Sequence, residues 1–178
     1  MIRIVDDFFD KKSLKEFQNF CASNIKYEPK YFVGTTEKIE KNYYGMRYEL
    51  HNNKKLLKLL CHQTEYKFKI KIKKVYDDSG IDMRQLNMFK PHKDASKMNM
   101  LFMIDGPVAI NNGTVFYTPS NGPDDDAPDR NYEIDMHVGF KPNRAILFPS
   151  NKMHSASVSE IKNIKRYTAT LFIAEYSF

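Results

Sequence analysis

The spacing of hydrophobic positions changes along the chain, from a helical period near the start to short runs in the second half. Leu14, Phe17, Phe20 and Cys21 recur at three- and four-residue intervals, which predicts a helix over about 14–23. Ser13-x-x-Glu16 reads as a capping box opening it. Leu56, Leu57 and Leu60 predict a second helix with Asn53 as its cap. Residues 2–5 read as a short strand and 43–48 as extended chain. From residue 66 onward, short apolar or alternating runs bounded by turn residues predict strands at about 66–76, 83–89, 98–104, 114–117, 132–138, 144–148 and 166–175. Within the first of these, Lys67-Phe68-Lys69-Ile70-Lys71-Ile72-Lys73 alternates strictly, as a strand with one solvated face does. Helices first and many strands after predict a mainly β (α+β) fold, a double-stranded β-helix or jelly roll of cupin-like form with N-terminal helices packed on one sheet.

At 178 residues, without a linker, repeat or composition break, the chain fits one domain, with helical decoration over about 1–65 and a barrel core over about 66–178. The opening apolar run Met1 to Phe9 is broken by Asp6 and Asp7, which fits neither a signal peptide nor a membrane span. The expected location is therefore the cytoplasm, or the host cytoplasm for a phage-encoded chain. Cys21 and Cys61 have no metal or disulfide spacing, which agrees with a reducing compartment and argues against thiolate metal sites. The net charge of +6 is concentrated between Lys54 and Lys74, where Glu65 is the single acid. The plain reading of those lysines is protection of an edge strand, and the sharper one is a track for a polyanion. No nucleic-acid-binding motif accompanies them, so nucleic acid is not the expected partner.

Candidate chemistry sits in the second half. Two imidazoles and a carboxylate, His92, Asp94 and His154, form the donor set of a facial triad, which holds non-haem Fe(II) and leaves positions open for reactants. His92 and Asp94 are two apart, so in an extended segment both side chains leave one face. His154 comes from a distant strand, which a small barrel can bring alongside. In Arg166-Tyr167-Thr168-Ala169-Thr170-Leu171, alternation puts Arg166, Thr168 and Thr170 on one face, where a guanidinium fork with a hydroxyl two residues on suits a carboxylate. Asp135-Met136-His137 is a mirrored pair, which makes His137 a competing ligand, whereas His51 and His62 carry no such signal.

With the ordered set His92-Lys93-Asp94, Gly113-Thr114-Val115-Phe116, Phe148-Pro149-Ser150, His154 and Arg166-x-Thr168, the chain resembles the 2-oxoglutarate and Fe(II)-dependent oxygenases over roughly residues 80–176. The prolyl-4-hydroxylase-like members are the nearest in pattern. The resemblance implies that His92, Asp94 and His154 bind Fe(II), and that Arg166 with Thr168 holds the far carboxylate of the co-substrate 2-oxoglutarate. It implies consumption of O2, release of succinate and CO2, and hydroxylation of a peptide or small molecule, with peptidyl proline as first guess. The family's tyrosine upstream of the His-x-Asp pair is missing from Leu86 to Pro91, and alternation offers Gln85 or Asn87 on the face shared with Phe89, with Asn87 as the co-substrate contact. The polar stretch 118–131 has the length of a lid, while its three consecutive aspartates read first as a solvated turn; Tyr117, Asp124 and Arg130 are the candidate substrate contacts. Two other classes share these residues: a cupin-like metalloenzyme that does not use 2-oxoglutarate, and a non-enzymatic basic binding module.

Overall fold

Two helices in the first half of the chain each carry an apolar stripe that needs a sheet to cover. A computed structural model describes residues 1–23, 25–31, 43–84, 91–119, 132–157 and 165–178. The elements are β1 (Arg3–Val5), α1 (Lys11–Ala22), β2 (Glu28–Tyr31), β3 (Tyr43–Glu49), α2 (Lys54–Phe68), β4 (Lys71–Val75), β5 (Gly80–Arg84), β6 (Met98–Asp105), β7 (Ala109–Pro119), β8 (Tyr132–Phe140), β9 (Arg144–Pro149), β10 (His154–Ser157) and β11 (Arg166–Ser177). A large antiparallel sheet runs β1-β9-β6-β11-β5-β3-β2, with β4 also paired to β11, and a smaller one runs β10-β7-β8. This is the jelly-roll architecture that the sequence predicts, with strands dominating and both helices in the first part of the chain, interleaved with β1, β2 and β3 of the large sheet.

β11 is where function and packing meet. Its Ala169, Leu171 and Ile173 join a core with Phe17 and Cys21 of α1 and Leu56, Leu60 and Phe68 of α2. Its other face carries Arg166, Thr168, Thr170 and Phe172 into a cavity between the sheets. The alternation seen in the sequence therefore assigns both faces correctly. β6 beside it is buried on both faces: Met100, Phe102 and Ile104 pack toward the helices, and Met103 joins the inner cluster of Phe116, Val138, Phe140, Ile146 and Phe148. Rings of Phe8, Phe9 and Phe17 surround Phe102 at 5.3, 5.1 and 5.6 Å. Asn143, at φ 68°, ties this N-terminal segment down, accepting from the Phe9 N–H at 2.9 Å and donating to its carbonyl at 2.8 Å.

Several expected boundaries move, each for a local reason. α1 begins at Lys11, because Asp10 rather than Ser13 is the cap and its carboxylate accepts from the Ser13 N–H at 2.9 Å. The predicted strand 66–76 is a helix end followed by a strand. Leu56, Leu60, Thr64 and Phe68 bury at four-residue spacing, so α2 continues through Phe68 and turns at Lys69 with φ 53°. Only 71–75 is extended, and Glu65 secures the turn by accepting from the Ile72 N–H at 2.8 Å. The lysines of this region therefore lie on a helix and a strand instead of one continuous edge. β5 starts at Gly80, earlier than the predicted 83, while 85–90 lie outside the described residues. Gly113 of β7 is a close-approach glycine: a Cβ there would collide with the Val138 carbonyl oxygen across the sheet.

Candidate metal centre

The small sheet builds one half of the site. His154 opens β10 and stands opposite Phe116 of β7. The segment carrying His92 adds itself to the other edge of β10, with reciprocal N–H to carbonyl bonds between His92 and His154 at 3.0 Å. Two residues on, the Asp94 N–H donates to the Ser150 carbonyl at 3.0 Å. This short extended pairing sends both side chains of the His-x-Asp pair toward His154, as the two-residue spacing predicts.

The three side chains meet. Asp94 Oδ1 lies 3.7 Å from His92 Nε2, and its Oδ2 lies 3.3 Å from His154 Nε2. The imidazole centroids are 4.5 Å apart, and one donor atom from each residue falls within 4.8 Å of the others. His154 is buried, with Phe148 edge-on to its ring at 4.8 Å, and its Nδ1 is 2.9 Å from the Lys152 carbonyl. A carbonyl can only accept, so the Nδ1 proton is fixed there and Nε2 is the atom aimed at Asp94. Burial pushes the Asp94 carboxyl upward, but the His154 hydrogen bond, the charges of His154 and His92 and the Asn99 amide outweigh it and hold it below its usual value. The result is an ionised carboxylate between two imidazoles, a nitrogen and oxygen donor set suited to a borderline divalent metal.

The large sheet builds the other half. A cavity of about 520 Å³ is lined by all three donors and by Arg166, Thr168 and Thr170 of β11. Arg166 is buried, its Nη1 donates to Asn112 Oδ1, and its guanidinium carbon is 5.6 Å from the Phe140 ring centre. Thr114 and Gly113 of the Gly-Thr-x-Phe stretch also line the space. His92, Asp94, His154, Arg166 and Thr168 are thus brought together from three stretches of chain.

Other expected residues are placed elsewhere. Tyr117 does not line the cavity; its hydroxyl is 2.8 Å from that of Ser155, which does. His137 faces Ser157 Oγ at 3.1 Å and takes no part in the donor cluster. Gln85, Asn87, Asp124 and Arg130 lie outside the described residues.

The cavity has further lining that sequence patterns do not reveal. Arg47 of β3 is buried against the fully buried Asp82 of β5, with Nε to Oδ1 at 2.7 Å and Nη2 to Oδ2 at 2.9 Å, and it donates to the Asp78 carbonyl at 2.9 Å. Gly80 makes room for it, since a Cβ there would come within 2.8 Å of the Arg47 side chain. The one available signal is Asp82 itself, an acid between the apolar Ile81 and Met83 of a strand, which if buried needs a cation. Removing one partner of such a pair is strongly unfavourable. Asp82→Ala is expected to lose about 3–5 kcal/mol of stability, a fall in the thermal midpoint of roughly 10 °C read by calorimetry; an unchanged midpoint would show the pair to be dispensable.

No family model and no curated protein matches the sequence. Solved structures do match in fold. The prolyl hydroxylase from Trichoplax adhaerens in complex with a hypoxia inducible factor peptide aligns at TM-score 0.65 and 13% identity, over 97% of this chain and 83% of that one. The non-heme α-ketoglutarate dependent epimerase SnoN from nogalamycin biosynthesis aligns at 0.64 and 11%, over 98% and 79%. HygX from Streptomyces hygroscopicus with nickel and 2-oxoglutarate bound aligns at 0.63 and 10%, over 99% and 82%. At these identities the likeness establishes the shared fold. No helix among the described residues is long and apolar enough to cross a membrane.

Proposed function

We propose that this protein is a non-haem Fe(II) and 2-oxoglutarate-dependent oxygenase, with His92, Asp94 and His154 as the metal ligands and Arg166 with Thr168 as the co-substrate anchor. The observation that carries this reading is the shared cavity: a three-donor cluster and a buried guanidinium line the same space. Three protein donors leave half of an octahedral metal's positions for reactants. Bound there, Fe(II) supplies the oxidative decarboxylation of 2-oxoglutarate to succinate and CO2, with O2 as the source of the oxygen delivered to a substrate C–H bond. The chain's own residues position and enclose. The Lys152 carbonyl fixes the tautomer of His154, Phe116 and Phe148 keep water from its ring, and Arg166 presents a planar fork to the distal carboxylate. Thr168 places a hydroxyl two residues along the same face.

The solved proteins of this fold include one named with a peptide and others named for small-molecule pathways, so both substrate classes fit; a prolyl residue in a peptide is the first to assay. The deciding experiment is an anaerobic titration with Fe(II) and then 2-oxoglutarate, followed by visible absorption. A charge-transfer band of the chelated keto acid is expected. Iron binding without a band would favour cupin-like chemistry without 2-oxoglutarate, and failure to bind iron would remove the enzyme reading.

A further inference from the structure

Asp94 is held by more than its two histidines. Its backbone N–H donates to the Ser150 carbonyl, the Ser150 hydroxyl donates to the Ser96 carbonyl, the Ser96 hydroxyl donates to Asn99 Oδ1 at 2.5 Å, and Asn99 Nδ2 donates to Asp94 Oδ2 at 2.5 Å. Four hydrogen bonds thus close a ring through Asp94, Ser150, Ser96 and Asn99. Asn99 is fully buried, and Ser96 and Ser150 are nearly so. The direction of each bond follows from chemistry. An ionised carboxylate only accepts, so the amide must turn its NH2 toward Asp94, which leaves Oδ1 to accept from the Ser96 hydroxyl. Buried networks of this kind, when every member is satisfied, hold a single geometry.

We infer that Ser96, Asn99 and Ser150 are positioning residues that commit Oδ2 of Asp94, the oxygen beside His154 Nε2, to the amide, so that the carboxylate serves a bound metal through Oδ1, the oxygen beside His92 Nε2, alone. The inference rests on the metal reading above and adds to it a reason why the site stays open. A carboxylate free to chelate would take a second position from the reactants, whereas one with an oxygen already hydrogen-bonded favours the one-oxygen mode. The Phe148-Pro149-Ser150 turn thereby acquires a structural role, because Ser150 links the backbone of Asp94 to the loop that carries Ser96.

Co(II) binding to the purified protein tests this without any turnover assay. Asn99→Leu keeps similar bulk and removes the donor; its Co(II) affinity is expected to fall by roughly 10–100-fold, and its d–d bands to shift toward higher coordination as the second oxygen is released. Ser96→Ala, which removes only the hydroxyl orienting the amide, is expected to shift both readouts in the same direction by less. A packing role alone would lower the thermal midpoint and leave the d–d bands in place. Unchanged affinity and bands in both variants, with Co(II) binding lost in His154→Ala, would overturn the positioning role while leaving the metal site intact. Wild-type Co(II) binding by His154→Ala would remove the metal reading and this inference together. Should Asn99→Leu fail to fold, the bands of Ser96→Ala decide by the same criterion.

Discussion

His154→Ala is expected to lose Fe(II) binding and 2-oxoglutarate turnover while the protein remains folded. The fold should survive because the ring sits at the cavity wall, whereas the packing that unites helices and sheet runs through Phe102, Leu171 and the phenylalanines around them. The loss should be severe because His154 is the most enclosed of the three donors and is fixed by the Lys152 carbonyl. Changing an outer partner of a metal ligand typically costs about 10–100-fold in affinity or activity. Losing the ligand itself leaves one imidazole and one carboxylate, so the effect should exceed about 100-fold. The measurements are iron stoichiometry after anaerobic loading and succinate released per protein, with circular dichroism to confirm folding. His137→Ala is the matched control, since it changes the other candidate histidine and should leave both values unchanged. A folded His154→Ala that binds iron and turns over as before would sink the ligand assignment; the same loss in His137→Ala would redirect it.

The contrast between these two histidines shows what the sequence can reveal. Both lie in the β-rich half of the chain, and composition does not separate them. What separates them is pairing: His154 lies across from His92 by reciprocal backbone bonds, while His137 lies opposite Val115 and meets Ser157. The order of segments in the chain points to His154, the one the structure brings to Asp94 and His92. The face assignment of β11 is legible for a simpler reason, because period-two alternation in a strand between two layers directly gives which residues face the helices and which face the barrel. The same pattern misleads between Lys67 and Lys73, where helical burial at Phe68 and strand burial beyond it happen to interleave with lysines. The Arg47–Asp82 pair and the Ser96–Asn99–Asp94 contacts are beyond the reach of such patterns. The first depends on the register of β3 against β5, which is set only when the sheet forms; the second lies within residues 94–99, where serine and asparagine carry no spacing signal of their own.

Arg166→Gln is expected to raise the 2-oxoglutarate concentration needed for half-maximal charge-transfer absorption by at least about 100-fold, with Fe(II) affinity unchanged. Glutamine retains one neutral donor and much of the bulk, but it loses the charge and the two-pronged geometry that match a carboxylate. Hydrogen bonds to charged groups contribute about 1.5–3 kcal/mol each, so losing a bidentate pair amounts to about 3 kcal/mol or more, which is roughly a hundredfold in dissociation constant. The buried setting of Arg166, with Asn112 and the Phe140 ring around it, places the effect toward the upper end, because water cannot replace the missing donors there. Arg166→Lys should fall between wild type and glutamine, keeping the charge while losing the fork. Metal affinity is the internal reference: Arg166 is not one of the clustered donors, so a concurrent loss of iron would indicate a disturbed barrel instead of a missing anchor. If both variants bind iron and show an unchanged 2-oxoglutarate requirement, Arg166 does not hold the co-substrate. The guanidinium and threonine on β11 would then belong to substrate recognition in a metalloenzyme of another chemistry.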